Sequence, residues 1–216
     1  MDKQFEFNLP EHTFEQCFTE SFLTEAVLTP AEQAGLKGIS VRRRTDFSTG
    51  RYCAREALKN AGLHTAEILT GSGNEPLWPP GYTGSISHTG GLAGAVASSK
   101  LLSIGLDIEQ TGRVKDGMWH LLFRPEEQEF LKSLDKNEQL FYTTLFFSMK
   151  ESYYKMQYPV TKQFLGFTDV VLEKQSSVFQ LRIPGEFSGK HLLPGYTAMH
   201  YAMYKEKIIT TCFMDR

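Results

Sequence analysis

From Phe47 onward the apolar residues recur with a helical period, so that Phe47, Gly50, Ala54, Leu58 and Ala61 fall on one side of a wheel. Asn60-Ala61-Gly62 supplies a stop signal, and Arg44, Arg51 and Arg55 line one edge of the apolar stripe. The texture then changes. Residues 70–84 (TGSGNEPLWPPGYTG) form a Gly- and Pro-rich loop, followed by short β-prone runs: SISH, a turn at Thr89 to Gly91, LAGAVAS, and LLSIGLDIE ending at Glu109. Beyond Gly112 the helical pattern returns in FRPEEQEFLKSL and again from about Glu138 to Tyr158, where Pro159 predicts the end. The final stretches, TDVVLEK, VFQLRIP and YTAMHYAMYKEKIITTCFM, alternate as strands joined by turns. Each half thus reads helix first and antiparallel strands after. With a faint echo between FSTGRYCAREAL and FFSMKESYYKM, this predicts an α+β fold of two similar lobes related by a pseudo-twofold, each a long helix on a small antiparallel sheet. The lobes are expected at 1–109 and 110–216, joined near residues 110–115.

At 216 residues and 41% hydrophobic content the chain can bury a substantial core without covalent staples. Its three cysteines, Cys17, Cys53 and Cys212, lie far apart with no CxxC pair, which argues against a zinc site or a disulfide framework and fits a reducing compartment. No apolar run approaches the ~20 residues of a membrane span, and the acidic N-terminal residues do not resemble a secretory signal. A soluble, cytoplasmic protein is expected, without membrane partners. The net charge of −2 offers no global attraction to nucleic acid, and neither a P-loop nor a Rossmann glycine fingerprint is present.

Candidate chemistry is concentrated at three places. Asp107 and Glu109 occupy positions i and i+2 of an otherwise apolar strand, so both carboxylates leave the same face. Such a pair is either a solvated strand end or, if half-buried, a site for a hard, oxygen-preferring cation such as Mg2+. On the second helix Leu140, Thr144, Phe147, Glu151, Tyr154 and Tyr158 share a stripe, which a glutamate interrupts. Lys155, one turn on, can form an ordinary Glu-to-Lys helix pair; alternatively Glu151 completes a three-carboxylate metal site with Lys155 facing phosphates. Ser85 to His88 precede a Gly-rich turn whose amides and hydroxyl suit phosphate oxygens, although a core role for His88 is the alternative. The arginine row offers guanidinium forks of the kind that bind phosphate, or else a solvated helix face.

GSISH, then IGLDIE, then FSMKESYYK, in that order and spacing, resemble the motifs of the 4'-phosphopantetheinyl transferase superfamily. RRRTDFSTGRYCAREAL and PLWPPGYTGSISH further resemble its enterobactin-synthase-component, broad-specificity bacterial branch. The matches span roughly residues 36–172. The resemblance implies transfer of the 4'-phosphopantetheine arm of coenzyme A to a serine of an apo acyl- or peptidyl-carrier protein, releasing adenosine 3',5'-bisphosphate. It implies Mg2+ on Asp107, Glu109 and Glu151, with Glu151 and Lys155 as catalytic residues. Ser87, His88 and Lys155 would contact phosphates, Arg51 the 3'-phosphate or its neighbours, with Arg43 or Arg44 beside it. It further implies a monomer whose active site lies in a cleft between the lobes. Glu127 matches a family glutamate with no role attached. Asn74 departs from the pattern, standing where a basic residue is common; Arg42 or Lys37 could compensate, and Arg42 to Arg44 form a basic rim suited to an acidic carrier. A Mg2+-dependent phosphohydrolase and a non-catalytic coenzyme A or carrier-binding module are the competing readings.

Overall fold

The computed structural model describes residues 13–36, 38–175, 178–195 and 197–216. In chain order its elements are β1 (Glu15–Thr19), α1 (Pro30–Gln33), α2 (Val41–Asn60), β2 (Leu69–Thr70), β3 (Pro76–Leu77), β4 (Thr83–Thr89), β5 (Leu92–Ser98), β6 (Leu101–Gln110), α3 (Trp119–Leu122), α4 (Pro125–Lys132), α5 (Lys136–Thr161), β7 (Val171–Gln175), β8 (Val178–Arg182), β9 (Thr197–Tyr204) and β10 (Lys207–Asp215). The chain divides into two compact units, Met1–Ile104 with Asp215–Arg216, and Gly105–Met214. Both mix helix with antiparallel strands, so the α+β expectation holds.

In the first unit α2 lies on a three-stranded sheet of order β1-β5-β4. The helix buries Cys53, Ala54, Ala57 and Leu58 against Cys17, Ala95 and Ala97. Small side chains on both surfaces let helix and sheet approach closely, and complete burial of a residue like Leu58 contributes about 2 kcal/mol. Between β4 and β5, Thr89 pairs with Leu92 and the two-residue turn is Gly90-Gly91, with φ of 34° and 87°. That doubly left-handed turn is the one that suits the twist of a tight hairpin, and it explains why glycines stand there. The edge strand β1, which the sequence pattern did not mark, pairs with β5 in antiparallel register from Glu15 opposite Ala97.

The second unit carries α5 on antiparallel strands, β6-β10-β9-β8-β7 in order. Its core gathers Phe146, Met149, Tyr153 and Met156 of α5 with Leu172, Phe179, Leu181, Met199, Ile208 and Cys212 of the strands. Asp135 caps α5 by accepting from the amides of Asn137 and Glu138. The helix does not stop at Pro159; it continues to Thr161 and ends where Lys162 adopts φ 54°. Proline removes the amide that would bond the Lys155 carbonyl and crowds that carbonyl, so the helix carries this cost through its last residues. Among the described residues no helix is long and apolar enough to cross a membrane.

Candidate active site

Strand β6 is buried on both faces: Leu106 and Ile108 are fully enclosed, and Asp107 and Glu109 are only 4% and 6% exposed. The solvated strand-end alternative therefore fails. Gly105 explains how the strand reaches α5, because a Cβ there would overlap the Ser152 carbonyl oxygen. This close approach brings Asp107 among α5 side chains. Ser148 Oγ donates to Asp107 Oδ2 at 2.9 Å, and Lys155 Nζ donates to Asp107 Oδ1 at 2.7 Å and to the Leu106 carbonyl at 3.0 Å. Lys155 thus ties α5 to β6 through Asp107. Behind Ser148, Thr210 of β10 donates to the Ser148 carbonyl, and the two hydroxyls are 2.9 Å apart.

Glu109 points both carboxylate oxygens at Arg113 Nη1, at 3.0 and 3.1 Å. Burial and the neighbouring Asp107 charge nevertheless push its carboxyl up to about 7, against the pull of Arg113 and Lys155. Burial also raises the Glu151 carboxyl, which lies within electrostatic reach of Lys155, Asp107 and Arg113. The structure thus places Asp107, Glu109, Glu151 and Lys155 in one electrostatic neighbourhood. Among the described residues no three His, Cys, Asp or Glu side chains yet converge closely enough to grip an ion. In chemistry the donor set suits a hard divalent cation: it is all carboxylate and short of balancing positive charge, and one of its two cations, Arg113, has a side chain 59% exposed.

The remaining expected residues belong to the first unit. His88 lies on β4 with its side chain 43% exposed, and its Nε2 is 3.3 Å from Asp46 Oδ2 of α2. Ser87, on the opposite face of the same strand, is buried. Arg51 is buried too; it donates to the Thr70 hydroxyl at 3.1 Å and stacks over Phe47 at 4.4 Å. Burial lowers its pKa to about 10, and its Nε is enclosed without a hydrogen-bond partner. Arg44 donates to the Ile39 carbonyl and to Glu25, Arg55 pairs with the buried Glu32, and Arg43 is exposed. The arginine row thereby binds its own chain at three points. The side chain of Arg42 and all of Lys37 lie outside the described residues.

Asn74 now has a local explanation. Its φ is 65°, within the tight β2–β3 hairpin where the Gly71 amide bonds the Glu75 carbonyl. Asparagine is several-fold enriched in that left-handed conformation, where most other side chains are strained.

Residues 31–98 match the family model of the 4'-phosphopantetheinyl transferase N-terminal domain, and residues 103–212, more than half of the chain, match that of the 4'-phosphopantetheinyl transferase superfamily. The chain belongs to the 4'-phosphopantetheinyl transferase superfamily. Among its relatives, the 4'-phosphopantetheinyl transferase PptT of Mycobacterium tuberculosis is 34% identical over 196 residues, covering 88% of this chain and 84% of that one. Svp of Streptomyces mobaraensis, of the same named activity, is 32% identical over 191 residues, 82% and 78% of the two chains. Enterobactin synthase component D of Escherichia coli K12 is 29% identical over 198 residues, 90% and 89% of the two. This phosphopantetheinyl transferase is therefore an enzyme with relatives in the enterobactin branch, as its motifs implied. Its sequence pattern did not single out Ser148, Thr210, Arg113 or Asp46. Ser148 had a usable signal, since it precedes Glu151 by three residues on one helix face. Thr210 had none, because only the sheet order brings β10 beside β6.

Proposed function

We propose that this transferase moves the 4'-phosphopantetheine arm of coenzyme A to a serine of an acyl- or peptidyl-carrier protein with Mg2+ on Asp107, Glu109 and Glu151. The observation that carries the reading is the burial of Asp107 and Glu109 side by side, with the Glu109 carboxyl raised to about 7. Buried like charges are costly unless a cation joins them. When bound, Mg2+ would supply charge neutralisation at the pyrophosphate.

The carrier serine hydroxyl attacks the β-phosphorus of coenzyme A, and the bond from that phosphorus to the bridging oxygen breaks. Adenosine 3',5'-bisphosphate leaves with the bonding electrons. The hydroxyl proton passes to Glu151, whose carboxyl pKa is raised by burial, making its carboxylate a better proton acceptor. Lys155 steadies charge on the departing phosphate, and its bond to Asp107 holds that ammonium at the site beforehand. Holding both reactants in line supplies much of the remaining barrier reduction.

Ser87, His88, Arg43 and Arg51 take the phosphates of coenzyme A. The buried Arg51 supports this, being a guanidinium whose Nε has no hydrogen-bond partner and whose Nη2 donates to uncharged acceptors, the Thr70 hydroxyl and the Leu69 carbonyl. Arg44 assists from the same helix. In the family reading two similarly built lobes, residues 1–109 and 110–216, share the active site in a cleft. One chain then supplies both residue sets and acts as a monomer. The setting is cytoplasmic, which agrees with three buried free thiols.

Asp107→Ala and Glu151→Ala should each abolish modification of an apo-carrier while circular dichroism stays native. Near-normal modification by either variant contradicts the reading. Rapid release of adenosine bisphosphate from coenzyme A without any carrier would show water to be the acceptor, and would replace the transferase by a hydrolase.

A further inference from the structure

Helix α2 crosses β4 at a fixed register. A Cβ on Gly50 would stand 2.8 Å from Ile86 Cγ2, so glycine is what permits the approach. Asp46 precedes Gly50 by one helical turn, and His88 follows Ile86 by one strand repeat on the same face. The contact that seats Gly50 over Ile86 therefore also seats Asp46 over His88, at 3.3 Å between Oδ2 and Nε2. Arg43 is one turn earlier on the helix and exposed.

A carboxylate at a phosphate site is adverse in itself, since it repels the ligand. An imidazole interposed between the two changes the sign. The carboxylate then fixes the ring's orientation and favours a proton on Nε2, as outer partners of ligating histidines do elsewhere. Coenzyme A has two anionic regions. If the carboxylate and Lys155 set takes the pyrophosphate, the cations of α2 and β4 are left for the 3'-phosphate.

We infer that Asp46 is a positioning residue, which orients His88 to hold the 3'-phosphate of coenzyme A and so sets the preference for coenzyme A over its dephospho form. This rests on the phosphate role given to His88 above. Nothing in the sequence motifs assigns Asp46 that part; it follows from the crossing of α2 over β4.

The test compares kcat/KM for coenzyme A and for dephospho-coenzyme A, which lacks only the 3'-phosphate, using the full-length enzyme and one apo-carrier. His88→Ala should reduce the coenzyme A to dephospho-coenzyme A ratio about tenfold or more, and Asp46→Ala by several-fold, on the scale of outer-partner losses. The change in Asp46→Ala should reside in KM for coenzyme A rather than in kcat. Asp46→Asn keeps the shape of the side chain and should show the same loss in smaller measure, so the test survives if the alanine variant misfolds. A wild-type ratio in both Asp46 variants, alongside a lowered ratio in His88→Ala, overturns the inference. An equal loss on both substrates in the Asp46 variants also overturns it, because that marks a purely structural role. A wild-type ratio in His88→Ala instead removes the phosphate role of His88 on which the inference stands.

Discussion

Asp107 has each carboxylate oxygen held by a different donor of α5, Oδ1 by Lys155 and Oδ2 by Ser148. A ligand fixed at both oxygens is pre-oriented, and losing such an outer hydrogen bond weakens metal binding about tenfold or more. Ser148→Ala should therefore weaken Mg2+ or Mn2+ binding, read by isothermal titration, by about tenfold with little change in the circular dichroism spectrum. Unchanged affinity would show the hydroxyl to be packing alone. Glu109 raises the opposite question, because burial and the Asp107 charge make its ionised form costly despite Arg113 and Lys155. Glu109→Gln should abolish transfer yet raise the melting temperature of the metal-free protein at pH 8 by roughly 3 °C, equivalent to about 1 kcal/mol in a chain of this size. At this scale the sequence singles out Asp107, Glu109 and Glu151 because chemistry and periodicity coincide there, and the structure shows Asp107 and Glu109 buried. For Ser148 the sequence offered only the helical spacing to Glu151, since its partner Asp107 is 41 residues away. Asn74 shows the converse: a departure from a family pattern sits at a backbone conformation, φ 65°, that asparagine favours.

Among elements, the decisive contact is β6 against α5 at Gly105. Gly105→Ala would drive a methyl group into the Ser152 carbonyl, and because backbone atoms on both sides must shift, a loss of about 3 kcal/mol or more is expected, with activity lost in parallel. Denaturant unfolding measures it directly; a stable Gly105→Ala protein would contradict the packing described. The placement of α5 also depends on Lys150, which is buried beneath α4. Its Nζ donates to Glu127 at 2.6 Å and to the carbonyls of Leu122 and Phe167, while Glu127 accepts from the amides of Arg124 and Leu172. Burial lowers the Lys150 pKa, and Glu127 opposes that shift. This assigns the family glutamate of the FRPEE segment a structural place, joining α4, α5 and β7. Because removing one partner strands a buried charge, Glu127→Leu and Lys150→Met should each cost about 3 kcal/mol, whereas the double variant should be more stable than either. Additive losses would mean that the two are not coupled. The helices and the C-terminal strands were readable from their periods of 3.6 and 2. The end of α5 was not, since the helix runs two residues past Pro159 despite the hydrogen bond that proline removes.

At the scale of the whole chain, two compact units each bring a helix and antiparallel strands, and each carries one chemical set: carboxylates with Lys155 in the second, His88 with the arginines in the first. The motif order set the boundary at residue 109 and so put Asp107 and Glu109 in the first lobe, whereas the structural boundary falls at Gly105 and gives both to the second unit. What the motifs could not convey is that Arg44, Arg51 and Arg55 tie α2 to its own surroundings, because their partners come from segments with no motif of their own. The central claim joins the buried carboxylates to group transfer, and intact mass of an apo-carrier protein after incubation with coenzyme A, Mg2+ and the enzyme tests it most directly. The account predicts that the carrier gains one phosphopantetheine group with the wild-type enzyme and none with Asp107→Ala; an unmodified carrier with the wild type, or equal modification by the variant, would contradict it.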